Sequence, residues 1–144
     1  MRPIVENESP RLDHIALAVK DLEETMVYFR DTLGLTVTHT EEVPSQGARV
    51  GFIPLGDTNL ELVQPTDPHS GLARFIDQRG EGLHHLCLEV KDIRESLRLF
   101  QEKGVPLIDK EPRPGAHGKQ VAFLHPKAGK GVLIELSQAK TGSK

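Results

Sequence analysis

The chain contains one phrase twice. Asp13-His14-Ile15-Ala16-Leu17-Ala18-Val19-Lys20-Asp21 returns as His84-His85-Leu86-Cys87-Leu88-Glu89-Val90-Lys91-Asp92, 71 positions later. Two copies with the same alternation and the same turn signals have to fold as two similar modules. A second echo follows, Asn59-Leu60-Glu61-Leu62-Val63-Gln64 against Leu133-Ile134-Glu135-Leu136-Ser137-Gln138. Two histidines and two glutamates thus hold equivalent places in the two repeats, a pattern that points to a metal site.

In the first copy Ile15, Leu17 and Val19 alternate with His14, Ala16 and Ala18, the period of a strand with one apolar face. Asp21 with Glu24 three residues on reads as a helix start, Met26, Phe29 and Leu33 as the buried stripe, and Gly34 as the stop. In the second copy Asp92 and Glu95 cap, Ile93, Leu97 and Phe100 form the stripe, and Gly104 ends it. Three shorter extended pieces follow each helix, near 35–40, 48–55 and 59–64 and near 105–110, 120–124 and 131–137. Val50-Gly51-Phe52-Ile53 echoes Val121-Ala122-Phe123-Leu124, so the repeat covers whole βαβββ modules. A short helix is expected over 71–79, and the breaker-rich loop 112–118 is a candidate lid.

The expected organisation is a flexible tail over 1–11, one domain over 12–138 and a second tail over 139–144. Module one runs to about 65, a connector to about 81, and module two from about 82. Net charge is −3 with dispersed basic residues, which gives no reason to propose nucleic acid or an anionic membrane as partner. A single cysteine, Cys87, excludes an intrachain disulfide and suits a reducing compartment. No apolar run approaches membrane-spanning length, the first ten residues lack a secretory pattern, and a cytoplasmic location is expected.

Alternation puts Ile15/Leu17/Val19, Leu60/Leu62, Leu86/Leu88/Val90 and Val132/Ile134/Leu136 toward the helices. His14, Glu61, His85 and Glu135 all fall on the opposite face. Two curved half-sheets side by side would turn that face into the inner wall of a trough. An enclosed carboxylate costs several kcal/mol unless it is paired or bound to metal, and two of them beside two imidazoles make an N2O2 set for a divalent cation. Any one of the four alone would read as a surface group; their repeat equivalence favours the metal. His84 points to the other face and reads as a packed or hydrogen-bonded histidine, and His39, His69 and His125 lie outside the set. His117 sits in the Gly-rich loop, where solvent exposure is the simpler reading. Cys87 shares the face of His85 and reads as a small buried filler. Gly129-Lys130-Gly131 reads as a hairpin turn, and Arg113, Lys119, Lys127 and Lys130 read singly as solvated charges, with an anionic ligand tail as the alternative.

With these residues on the page, the chain resembles the methylmalonyl-CoA epimerases of the vicinal-oxygen-chelate superfamily, over about residues 12–138. The carrying phrases are Gly82-Leu83-His84-His85, Gly115-Ala116-His117-Gly118-Lys119 and 125–136, His125-Pro126-Lys127-Ala128-Gly129-Lys130-Gly131-Val132-Leu133-Ile134-Glu135-Leu136; Asp13-His14-Ile15-Ala16 is common to the wider superfamily. The resemblance implies an α+β fold in which two tandem βαβββ modules form a curved, incompletely closed eight-stranded sheet around a metal site. It implies metal ligation by His14, Glu61, His85 and Glu135, where Glu61 stands at a position that is Gln in some epimerases. The implied cofactor is a divalent ion such as cobalt, manganese or zinc, undistinguished by the donor set. The implied reaction exchanges the α-proton of an acyl-CoA substrate, interconverting 2R and 2S methylmalonyl-CoA through a stabilised enolate, with Glu135 as a catalytic acid/base candidate. A second family glutamate falls on Val50, which cannot transfer a proton. A symmetric homodimer is expected. The competing expectations are a glyoxalase I-type lyase, an extradiol dioxygenase, disfavoured by the fourth ligand, and a non-catalytic small-molecule binder.

Overall fold

A computed structural model describes residues 11–139. The expected tails lie outside these residues apart from Arg11, which opens the first strand, and Ala139. Backbone contacts divide the described chain into two units, residues 14–84 and residues 85–139 with 11–13.

In the unit 14–84, strand β1 (Arg11–Ala18) is followed by helix α1 (Leu22–Val27) and strands β2 (His39–Val43), β3 (Ala48–Leu55) and β4 (Thr58–Pro65). The strand order is β2-β3-β4-β1, with β1 parallel to β4 and the other pairs antiparallel. Two side chains fix the start of α1. The Asp21 carboxylate accepts from the Glu24 amide at 3.0 Å, and the Gln64 amide oxygen, from the end of β4, accepts from the Leu22 amide at 2.6 Å. Both satisfy helix N–H groups that have no partner within the helix. The helix widens into a π turn over Tyr28–Thr32, and Gly34, at φ 76°, supplies the left-handed residue that ends it.

The unit beginning at His85 repeats this plan. Strand β5 (Gly82–Glu89), helix α3 (Ile93–Glu102) and strands β6 (Arg113–Pro114), β7 (Gln120–Leu124) and β8 (Leu133–Gln138) take the order β5-β8-β7-β6. Asp92 accepts from Glu95 at 3.1 Å and Gln138 from Ile93 at 2.6 Å, the same two caps at equivalent positions. Between the repeats, helix α2 (Gly71–Arg79) falls where it was expected, capped by the Ser70 hydroxyl.

Each helix covers one face of its sheet. Leu22, Met26, Val19, Ile53 and Leu62 form one buried cluster, with Leu17, Phe29, Leu35, Val37 and Leu60 packed on it. Ile93, Leu97, Phe100, Val90, Ala122, Leu124 and Leu136 form the other, with Leu88, Val105, Leu107 and Ile134. Burying such side chains contributes about 1.5–3 kcal/mol each. The strand residues assigned to the helix side are in these clusters with few exceptions; Val132 is one, since it precedes β8 and is exposed.

Two strand boundaries differ from expectation for the same reason. The stretches 35–40 and 105–110 alternate because Leu35, Val37, Val105 and Leu107 pack onto the helix-side clusters, not because they pair along their length. Pairing starts only at His39 in the first repeat. In the second, a lone bridge joins Leu107 to Leu124 beside Pro106, which has no N–H to donate. The outermost strand there is β6, inside the breaker-rich loop. That loop carries ordered turns: Gly115 N–H donates to Lys119 O at 2.9 Å, around a 3-10 turn over Ala116–Gly118. Gly129-Lys130-Gly131 does form the turn between antiparallel β7 and β8, with Lys130 at φ 59° and Gly131 at φ 99°.

Candidate active site

Each unit holds one histidine–glutamate pair on the sheet face away from its helix. In the first, His14 Nδ1 lies 3.1 Å from Glu61 Oε2; in the second, His85 Nε2 lies 3.0 Å from Glu135 Oε1. All four side chains are at most a tenth exposed. The local cause is the register. Glu61 stands opposite Ala16 on β1 and Phe52 on β3, and Glu135 stands opposite Cys87 on β5 and Phe123 on β7. A small residue on one side leaves room at the carboxylate, and an aromatic ring on the other keeps water from it. Phe123 meets His85 edge to face with ring centres 5.4 Å apart, and Phe52 stacks on His39 at 4.5 Å.

The two faces differ beyond the pairs. Next to Glu61 the buried lining is Ala16, Ala18, Val63, Val50 and Ala48, and β2 adds His39 opposite Phe52 and the half-buried Glu41 opposite Val50. Val50 lies there buried and offers no atom that can move a proton. Next to Glu135 the equivalent rows hold Cys87, Glu89, Ser137 and Val121, and Lys119 follows at the end of the same β7 alternation. Cys87 is fully buried and in no disulfide among the described residues.

Lys119 is the residue that sequence reading placed least well. Read singly as a solvated charge, it is half-buried and donates to Asp13 Oδ1 at 2.8 Å; Arg11 Nη1 lies 3.6 Å from the same oxygen and 2.6 Å from Glu89 Oε1. Burial pulls the Lys119 ammonium down, but the hydrogen bond and charge of Asp13, with the Cys87 and Glu89 charges, outweigh it and leave its pKa raised. Asp13 itself, only 4% exposed, was overlooked, and the signal for it was its place one residue before a buried histidine. Gln64 and Gln138 were seen as part of the repeat without a role. His84 packs edge to face on Phe75, His125 Nδ1 accepts from Lys127 N–H at the turn before β8, and His117 takes a left-handed φ of 60° in its loop. Arg113 lies over the Phe123 ring and 3.4 Å from Asp109.

The donor set fits a divalent ion. Oxygen and nitrogen atoms bound at right angles to one ion at about 2.1 Å stand about 3.0 Å apart, which is the spacing within each pair. A buried imidazole and carboxylate are costly to desolvate as an ion pair alone, and the repeat incurs that cost twice at equivalent positions.

Comparison with known proteins gives the class first. Residues 13–123 match the model of the glyoxalase/bleomycin resistance protein/dioxygenase superfamily, and the chain belongs to it. Within it the chain is a member of the methylmalonyl-CoA epimerase family, whose enzymes are isomerases. It is 40% identical to human mitochondrial methylmalonyl-CoA epimerase, over 90% of this chain and 74% of that one. It is 42% identical to the ethylmalonyl-CoA/methylmalonyl-CoA epimerase of Cereibacter sphaeroides, over 89% and 97%. A variant of the Streptomyces coelicolor methylmalonyl-CoA epimerase, solved with 2-nitronate-propionyl-CoA, aligns with a TM-score of 0.86 at 35% identity, over 91% of this chain and 95% of that one. The α+β fold of paired βαβββ modules is the fold of these proteins.

Proposed function

We propose that this chain interconverts (2R)- and (2S)-methylmalonyl-CoA by removing and returning the α-proton, with one divalent ion held by His14, Glu61, His85 and Glu135. The observation that carries this reading is the doubled, buried histidine–glutamate pair, in a chain 40% identical to an enzyme named for the reaction. Cobalt, manganese and zinc all suit these donors. A bound ion supplies Lewis acidity toward the negative charge that develops as the α-carbon loses its proton.

The residues of the chain do the rest. Neutral imidazoles at His14 and His85 and ionised carboxylates at Glu61 and Glu135 are the forms that bind metal, and the Phe52 and Phe123 rings keep their surroundings apolar. Glu135 takes one of the two acid/base roles, moving the α-proton on one face of the α-carbon through a carboxylate oxygen. Inversion requires delivery to the opposite face, and Val50 supplies no group for that step. Among the described residues no helix is long and apolar enough to cross a membrane, and the proposed setting is the cytoplasm, as a symmetric homodimer. Exposed Val27, Tyr28 and Leu33 offer an apolar patch for such pairing.

The test is to incubate each pure epimer with metal-loaded protein and follow conversion by NMR, before and after chelation and after metal is returned. Conversion lost with the metal and restored by it is the expected result; none in metal-replete protein refutes the reading. For Glu135, full α-proton exchange in a metal-retaining Glu135→Gln variant would remove it from the acid/base role.

A further inference from the structure

Ser137 breaks the repeat. Its counterpart in the first module is Val63, so the same strand position carries a hydroxyl in one copy and a branched hydrocarbon in the other. Ser137 is 1% exposed, and its hydroxyl is buried without a hydrogen-bond partner among the described residues. Its backbone carbonyl accepts from Val90 N–H at 2.9 Å, just past the end of β5. The side chain has no such role.

The direction of that side chain follows from the strand. Leu136 lies in the helix-side cluster, so Glu135 and Ser137 both face away from the helix, on the wall that carries the second histidine–glutamate pair. Ser137 stands opposite Val121 on one side and Glu89 on the other, one row beyond Glu135 and Cys87. A buried hydroxyl without a partner is a net cost that alanine or the repeat's own valine would remove. The fold keeps it beside the proposed proton-transfer group.

We infer that the Ser137 hydroxyl is a substrate-contacting group, donating a hydrogen bond to an acceptor oxygen of the bound acyl group beside Glu135. The inference rests on the epimerase reading above and deepens it. It assigns Ser137 to binding and not to proton transfer, the role proposed for Glu135.

The test compares Ser137→Ala and Ser137→Cys with wild-type holoenzyme in steady-state epimerisation and in thermal unfolding without substrate. Both variants keep the volume small, and neither supplies a good donor. The expected result is a KM raised about tenfold with kcat little changed, the mark of a lost ground-state contact. Ser137→Ala should unfold at the wild-type temperature or slightly above it, because an unpaired hydroxyl has gone. Unchanged kinetics in both variants, against an active wild type, overturn the inference alone. So does a loss of thermal stability with unchanged KM, which would make the hydroxyl structural. A metal-replete wild type without epimerase activity overturns the proposed function and this inference with it.

Discussion

Replacing Gln138 by leucine keeps the side-chain volume and removes one acceptor. In the structure that acceptor sits 2.6 Å from the Ile93 amide, the first N–H of α3, which cannot bond within its own helix. Asp92 remains to serve Glu95, so one of the two anchored N–H groups is lost and is left partly buried. An unsatisfied buried donor costs roughly 1–3 kcal/mol. With an unfolding entropy of about 2.1 cal/mol/K per residue, a loss near 2 kcal/mol lowers the melting temperature by about 6 °C. Urea unfolding should show the same loss as a lower midpoint with an unchanged slope. Gln138→Glu keeps the acceptor and adds negative charge at a helix N-terminus, so at neutral pH it should match wild type or exceed it. Gln64→Leu should repeat the effect at Leu22, because the same bond recurs there. Gln138→Leu within about 0.5 kcal/mol of wild type, or Gln138→Glu no better than leucine, would refute the reasoning, since that margin is ordinary for surface changes.

Two glycine substitutions should separate by what their new Cβ meets. At Gly115 it would lie 2.7 Å from Val121 Cγ1 and 3.1 Å from Cγ2, a branched side chain with little rotamer freedom, so Gly115→Ala should cost about 1–3 kcal/mol. At Gly51 the nearest atom is Met26 Sδ at 3.0 Å, on a chain that can give way, and Gly51→Ala should unfold at the higher denaturant concentration of the two; the reverse order contradicts the packing. Lys119→Met removes the 2.8 Å bond to buried Asp13 and should destabilise by roughly 1–3 kcal/mol at neutral pH. Because the folded pKa of Lys119 is raised above 10.5, the wild-type advantage is fully present below that value and is lost as pH rises through the folded pKa. A difference that already vanishes between pH 7 and 9 would show that the pair contributes nothing.

Much of this architecture was legible because the repeat supplied two readings of each element. The caps at Asp21 and Asp92, the 71–79 helix and most of the helix stripes are local signals, and the structure has them where the side-chain chemistry put them, whereas Leu33, expected in the first stripe, is exposed beyond the π turn. The outer strands were harder. Alternation in 35–40 and 105–110 reports burial on one side, which a packed but unpaired segment satisfies as well as a strand does. The histidine–glutamate pairing within each unit was implied by the shared face, whereas the link from Lys119 to Asp13 spans 106 positions and leaves no local mark. Ser137 was visible only as a mismatch between the repeats, and its meaning depends on the burial of a hydroxyl that composition does not reveal.

The most direct test of the account follows α-deuterium uptake into methylmalonyl-CoA in deuterium oxide, together with bound metal, for wild type, His14→Ala and His85→Ala. These variants remove one histidine from each repeat. The account predicts rapid exchange in metal-loaded wild type and loss of both metal and exchange in either variant. Exchange that persists at the wild-type rate after one pair is broken would contradict a single centre built from both repeats.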